Sequence, residues 1–189
     1  MKFPMIFCNW EENNKFGFHQ FIIDDTGWTA FGTAIAIGLV IAIIYYLIVG
    51  KNSRMANLST WVIALIASLI LSFFVTDKIF IGEPLSKKKG VNKESVTYKH
   101  SIFHAINTQQ DNLFKSKEYK NNTAAKEKIS DYKTKLEKEL AKGNDIVMSY
   151  NMSCVFWTLI FFILASYVVK NWQAATSTVP TYWPSKSVR

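Results

Sequence analysis

Two histidines and an aspartate are spaced so that they could hold a metal ion. His100, His104 and Asp111 fall at i, i+4 and i+11, which share one face if the segment is a continuous helix. A histidine pair at i and i+4 can bind zinc, and a carboxylate could be the third ligand. No glutamate base, cysteine or second acidic cluster accompanies them. The spacing is more typical of surface histidines, so we expect no metal and no cofactor, and a metal-dependent membrane protein is the weakest alternative.

Other chemically suggestive residues are equally sparse. The basic run Lys87–Lys93 could bind anionic lipid head groups if it is cytoplasmic, or it is simply solvated. The net charge of +8 lies mostly in Lys/Glu-rich sequence without interleaved aromatic residues, which disfavours nucleic acid as a partner. Cys8 and Cys154 form no disulfide framework and no zinc pattern. We therefore predict a protein that is not an enzyme and has no small-molecule substrate.

Three long uncharged runs dominate the chain. They cover Thr29–Val49, Leu58–Val75 and Met152–Val169, with 21, 18 and 18 residues. A bilayer core of about 30 Å needs roughly 17–25 apolar residues of helix, so each run is long enough to cross it. None contains Asp, Glu, Lys, Arg or His, which argues against an ion path or a proton relay. The runs predict an all-α integral membrane protein with three transmembrane helices, and the lipid bilayer as a partner.

The predicted organisation has an N-terminal transmembrane hairpin, a small helical extramembrane domain and a C-terminal span. The predicted segments are a tail at 1–27, the hairpin at 28–76 with spans at about 29–49 and 58–75, a Lys-rich helical domain at 77–150, the third span at 151–170 and an aromatic, proline-containing tail at 171–189.

The orientation follows from the distribution of positive charge. The short loop between the first two spans carries Lys51 and Arg54 and no acid, and the C-terminal tail begins at Lys170 and also lacks acids. Short cytoplasmic loops are enriched in Lys and Arg, whereas long segments cross largely regardless of charge. We therefore expect a bacterial inner-membrane protein with its N-terminus outside, its C-terminus in the cytoplasm and the 77–150 domain exported.

Small residues recur every four positions in the first two spans. Such spacing lets helix backbones approach closely, which is a main source of packing energy in lipid. We expect the second span to be the neighbour of the first, at Ala64 and Ser68, and the bulky third span to face lipid or to pack against a partner through large side chains. The predicted helix-packing residues are Ala30, Ala34, Gly38, Ala42, Ala64, Ser68 and Ser72, and Gly32 and Ala36 form a shorter second row.

The best amphipathic helix of the chain lies within the 77–150 domain. Its apolar residues fall at steps of four and three, the spacing of one helix face, with Thr123 as its expected N-cap. The face needs a partner: a neighbouring helix that ends near Phe114, a second copy, or another protein. This apolar stripe consists of Ala125, Ile129, Tyr132, Leu136 and Leu140.

These features favour a structural or anchoring subunit of a multi-protein membrane assembly, such as an envelope-spanning secretion or injection machine. Its partners would be other membrane subunits or copies of itself. The alternative is a holin-like pore former or a membrane protein of a lipid-containing virion, because uncharged spans with small-residue faces suit self-assembly in a bilayer.

Overall fold

A computed structural model describes residues 5–8, 15–49, 58–81, 101–142 and 145–172, and these residues form helices and short turns without a β-strand. Short π-helical segments at Ile23–Gly27, Tyr45–Val49 and Thr76–Ile81 adjoin the first long helices. The α-helices are α1 (Phe18–Ile22), α2 (Trp28–Ile44), α3 (Leu58–Val75), α4 (Ile102–Lys115), α5 (Thr123–Ala141) and α6 (Asp145–Trp172).

Three helical stretches are long and apolar enough to cross a bilayer, namely Phe18–Val49, Leu58–Phe80 and Val147–Val169. They suggest a membrane location and are compatible with lipid contact. The first stretch begins ahead of the predicted span, because α1 and the following π-helical segment make residues 18–27 helical rather than a tail. The third helix likewise starts at Asp145, before the predicted 151.

The chain divides into two compact units. The first unit comprises Met1–Phe31 and Val75–Ser153, and the second unit comprises Gly32–Phe74 and Cys154–Arg189. The predicted 77–150 domain is therefore only part of the first unit, because the N-terminal residues fold together with it.

The first unit is built around α4, which packs against α1, α5 and the two nearby π-helical segments. Ser101 caps α4 by accepting a hydrogen bond from the His104 backbone N–H. Asn122 caps α5 in the same way with Ala125, so the N-cap lies one residue before the predicted Thr123. Such caps satisfy backbone donors that the first helical turn cannot pair.

The second unit consists of the apolar parts of α2, α3 and α6. Ala42, Phe162 and Ala165 form a buried cluster at which Trp61, Ala64 and Leu65 of α3 also pack. Large apolar side chains point outward from the same helices, as lipid-facing residues would. The most exposed include Val40, Ile63, Ile70, Phe74, Leu164 and Val168.

Candidate functional site

The small-residue row of α2 is buried along its length, at Ala30, Ala34, Gly38 and Ala42. Gly38 marks the closest approach: a β-carbon at this position would lie 2.7 Å from the carbonyl oxygen of Thr158 and 3.0 Å from the backbone nitrogen of Phe162. A real β-carbon cannot sit 2.7 Å from a carbonyl oxygen, so only glycine permits this contact. Two helix backbones of the second unit therefore touch directly.

Thr158 joins all three helices of the second unit at one hydroxyl. Its Oγ1 lies 3.1 Å from the Ala34 carbonyl oxygen in α2, 2.8 Å from the Ser72 Oγ in α3 and 3.0 Å from its own helix at the Cys154 carbonyl oxygen. A hydroxyl has one hydrogen and two acceptor sites, so Thr158 can donate to a carbonyl while accepting from Ser72. This three-helix node is fully buried and uncharged.

A second set of polar contacts lies further along the same bundle. The Trp61 indole N–H donates to Ser166 Oγ at 3.2 Å, and the Tyr45 and Thr60 hydroxyl oxygens are 3.2 Å apart. The Trp61 ring also packs on Phe162 at a centroid distance of 5.5 Å. Polar groups inside the second unit are thus paired with one another, as an environment without water requires.

The neighbour of the small-residue row differs from the expected one. At Gly38 the row meets α6, whereas the sequence favoured the second span. Ala64 of α3 packs instead at the Ala42 cluster and against Tyr45 and Tyr46. Ser68 is buried with its hydroxyl donating to the Leu65 carbonyl oxygen of its own helix. The third helix is bulky on most faces, but where it meets α2 the small or slender Thr158 and Ala165 flank the buried Phe162.

The apolar stripe of α5 is covered by other parts of the same chain. Ile129, Leu136 and Leu140 are buried, while Ala125 and Tyr132 are half-buried. The Tyr132 ring packs against Phe16 and Phe18 at centroid distances of 5.9 and 5.7 Å. Of the three partners that the sequence left open, the neighbouring helix α4 and the N-terminal residues take this place.

Lys133 lies beside the apolar stripe of α5 and is largely buried. Its side chain is only 18% exposed. The ammonium donates to Asn107 Oδ1 and, at 2.8 Å, to Gln110 Oε1, both on α4. Gln110 in turn donates to Ser130 of α5 at 3.1 Å. The ammonium can be buried because the side-chain amides of α4 replace the water that would otherwise hydrate it. The same hydrogen bonds link α5 to α4.

Glu137 lies one turn from Lys133, with 3.8 Å between Oε1 and Nζ. Burial raises the pKa of the Glu137 carboxyl, and the nearby lysine opposes that rise only in part. The desolvation of the carboxylate therefore outweighs the ion pair, as is common for partly buried charges.

The sequence patterns did not predict that residues 15–22 are a structured part of the first unit. Phe16 and Gly17 both have left-handed backbone conformations, with φ of 59° and 68°. Gln109 of α4 donates to the Phe16 carbonyl oxygen at 3.0 Å, and Tyr119 packs edge-on against the Phe16 ring. A left-handed backbone conformation is unfavourable for phenylalanine, so the surrounding contacts must offset its free-energy cost. The only sequence signal was the glycine at position 17.

The proposed metal ligands do not assemble within the described part of the chain. His104 lies half-buried in the first turn of α4 and Asp111 is exposed further along it, while His100 lies outside the described residues. No group of three His, Cys, Asp or Glu that could hold a metal occurs among the residues described. Lys51, Arg54 and Lys87–Lys93 also lie outside them, and Lys170 belongs to the last turn of α6.

Both cysteines, Cys8 and Cys154, are buried. No protein-family model, no curated protein and no solved structure matches the chain.

Proposed function

We propose that the chain is a non-enzymatic structural subunit that anchors a multi-protein membrane assembly, for example an envelope-spanning secretion or injection machine. The observation that carries this proposal is the backbone contact between Gly38 and Thr158, reinforced by the hydroxyl node with Ser72. An anchor must hold its helices in a fixed arrangement, and direct backbone packing provides one. A transporter would instead need an ionisable or hydrated path between its helices.

The first unit supplies the part that other proteins would meet. Its apolar stripe is covered within the chain, so we assign partner binding to the outer face of α5, which carries both signs of charge. Mixed charges on a fixed helix pair suit recognition by a complementary protein surface. The exposed charged residues of this face include Glu127, Lys128, Asp131, Lys135, Lys138 and Glu139.

The orientation belongs to the same proposal: an inner-membrane protein with Lys51 and Arg54 in the cytoplasm and the α4–α5 pair outside. Asn52→Cys and Asn122→Cys, each in a background lacking Cys8 and Cys154, test it with an impermeant thiol reagent on intact cells. Labelling at position 122 alone supports the proposed orientation, and labelling at position 52 alone would invert it.

A holin-like or virion membrane protein is the second candidate, and the exposed second row favours it. Gly32 has no atom within 4 Å of where a β-carbon would be, and Ala36 is also exposed. A small, open face lets another copy approach closely.

Expression of the chain alone, followed by measurement of dye leakage across the membrane, separates the two candidates. An anchoring subunit leaves the membrane sealed. A pore former releases dye, and Gly32→Leu on the open row should then abolish the release while leaving membrane levels of the protein unchanged.

A further inference from the structure

A short N-terminal segment, Met5–Cys8, is seated between the beginnings of two membrane-length helices in the first unit. Met5 is fully buried, and its side-chain atoms lie 3.5 and 3.9 Å from where a β-carbon on Gly27 would be. The Phe7 backbone N–H donates to Ser153 Oγ in α6 at 3.2 Å, and Cys8 closes a turn onto the Met5 carbonyl oxygen. The segment is therefore fixed to both helices at once.

The residues that the segment contacts lie where charge gives way to apolar sequence. Asp24 and Asp25 are exposed just before Gly27, and Asp145 is exposed two turns before Ser153. Beyond these acids each helix continues without charge for a bilayer-spanning length. The Tyr150 hydroxyl donates to Thr26 Oγ1 at 3.0 Å, which places the two helix beginnings at one level.

Large apolar side chains are exposed at this level on three separate elements. Phe7 is 46% exposed and Trp28 is 54% exposed, and Met148 and Met152 of α6 are exposed to a similar degree. A protein partner would cover one side of the unit, whereas apolar residues spread over several elements at one depth suit a surrounding lipid surface. Phenylalanine and tryptophan are residues that bury themselves between head groups and acyl chains.

We propose that Met5–Cys8 is a membrane-interface segment, with the Phe7 side chain inserted among phospholipid acyl chains just below the head groups. The segment closes the space between the beginnings of α2 and α6 and adds an interfacial anchor beside Trp28. The inference rests on the proposed membrane insertion of the three long helices.

Photocrosslinking tests the inference while keeping an aromatic ring at position 7. The full chain carrying p-benzoylphenylalanine in place of Phe7 is reconstituted into phosphatidylcholine vesicles, irradiated and analysed by mass spectrometry. Ile70, which is exposed on α3, and Asp111, which is exposed on α4, are the lipid and water controls for the same replacement. We expect phosphatidylcholine adducts at positions 7 and 70 and none at position 111.

A second measurement covers the case in which the large photoreactive ring disturbs the segment. Phe7→Cys, Ile70→Cys and Asp111→Cys, in a background lacking the native cysteines, carry a nitroxide label whose relative accessibility to oxygen and to a water-soluble nickel complex is measured. Position 7 should give an oxygen-to-nickel ratio several-fold above that of position 111 and below that of position 70.

The outcomes separate this inference from the proposed function. A water-like label at position 7 beside a lipid-like label at position 70 overturns the interface segment and leaves membrane insertion intact. A crosslink from position 7 to a second copy of the chain, without lipid adducts, also overturns it. Water-like behaviour at position 70 would instead overturn insertion itself.

Discussion

Gly38 of α2 and Thr158 of α6 meet so closely that a β-carbon on Gly38 would lie 2.7 Å from the Thr158 carbonyl oxygen. The obstacle is backbone, which cannot rotate aside as a flexible side chain could. In lipid the hydrophobic effect does not hold helices together, so close packing and interhelical hydrogen bonds must do so. Position 38 is therefore where the second unit should be most sensitive to added volume.

Addition of a single methyl group should distinguish the two glycines of α2. Gly38→Ala should destabilise the folded protein by about 1–3 kcal/mol, since the helices must move apart to admit the new carbon. Gly32→Ala is the matched control, because nothing lies within 4 Å of its added carbon. Unfolding free energies in mixed detergent micelles measure both, and an equal effect of the two changes would refute direct backbone packing.

The hydrogen bond between Thr158 of α6 and Ser72 of α3 should make the effects of substitutions at these two positions on the unfolding free energy non-additive. Thr158→Val keeps the side-chain shape and removes the hydroxyl, and Ser72→Ala removes its neighbour at 2.8 Å. We expect the double variant to be less destabilised than the sum of the singles, by roughly 0.6 kcal/mol and at most about 1.7 kcal/mol. The same cycle with Ser59→Ala, at an exposed position of α3, should be additive. Additivity at Ser72 would mean that the hydroxyls contribute no joint stabilisation.

The pH dependence of the unfolding temperature tests the environment of Glu137 in the α4–α5 pair. Because burial raises the pKa of this carboxyl in the folded state, its stabilising contribution is present below its ordinary pKa and is lost as pH rises through the raised value. Glu137→Gln should therefore unfold at a higher temperature than the natural protein at pH 7, and this advantage should vanish near pH 4.

The control for that experiment is Glu127→Gln, which changes an exposed carboxylate on the same helix and should have little effect at either pH. If Glu137→Gln instead lowers the unfolding temperature at pH 7, the ion pair with Lys133 outweighs the desolvation of the carboxylate, which contradicts this prediction.

The three long helices could be predicted because hydropathy over about 20 residues is a local property of the chain. Burial of the row from Ala30 to Ala42 also followed a local pattern, since every fourth residue shares a helix face. The helix that packs against this row could not be predicted from the pattern, because a face of small residues can pack against any helix. The third span was judged by its three Phe residues and one Trp, although its backbone at Thr158 comes close enough to α2 to touch Gly38.

Contacts between distant parts of the chain were beyond the reach of sequence patterns. The burial of Lys133 depends on Asn107 and Gln110, whose amides become ligands for the ammonium only once α4 and α5 are paired. The hydrogen bond from the Phe7 backbone N–H to Ser153 joins residues 146 positions apart, and no periodic sequence pattern indicates it. Long-range polar contacts of this kind require the fold before they can be recognised.

Native mass spectrometry of the chain, extracted in a mild detergent from the membranes in which it naturally occurs, tests the proposed anchoring role most directly. A structural subunit should appear within a particle of defined mass that contains at least one other kind of membrane protein in a fixed ratio. Gly38→Leu, which disturbs the bundle, should reduce recovery of that particle more than Gly32→Leu does. Detection only as the free 21.6-kDa chain, or as a multiple of it, would contradict the proposed role.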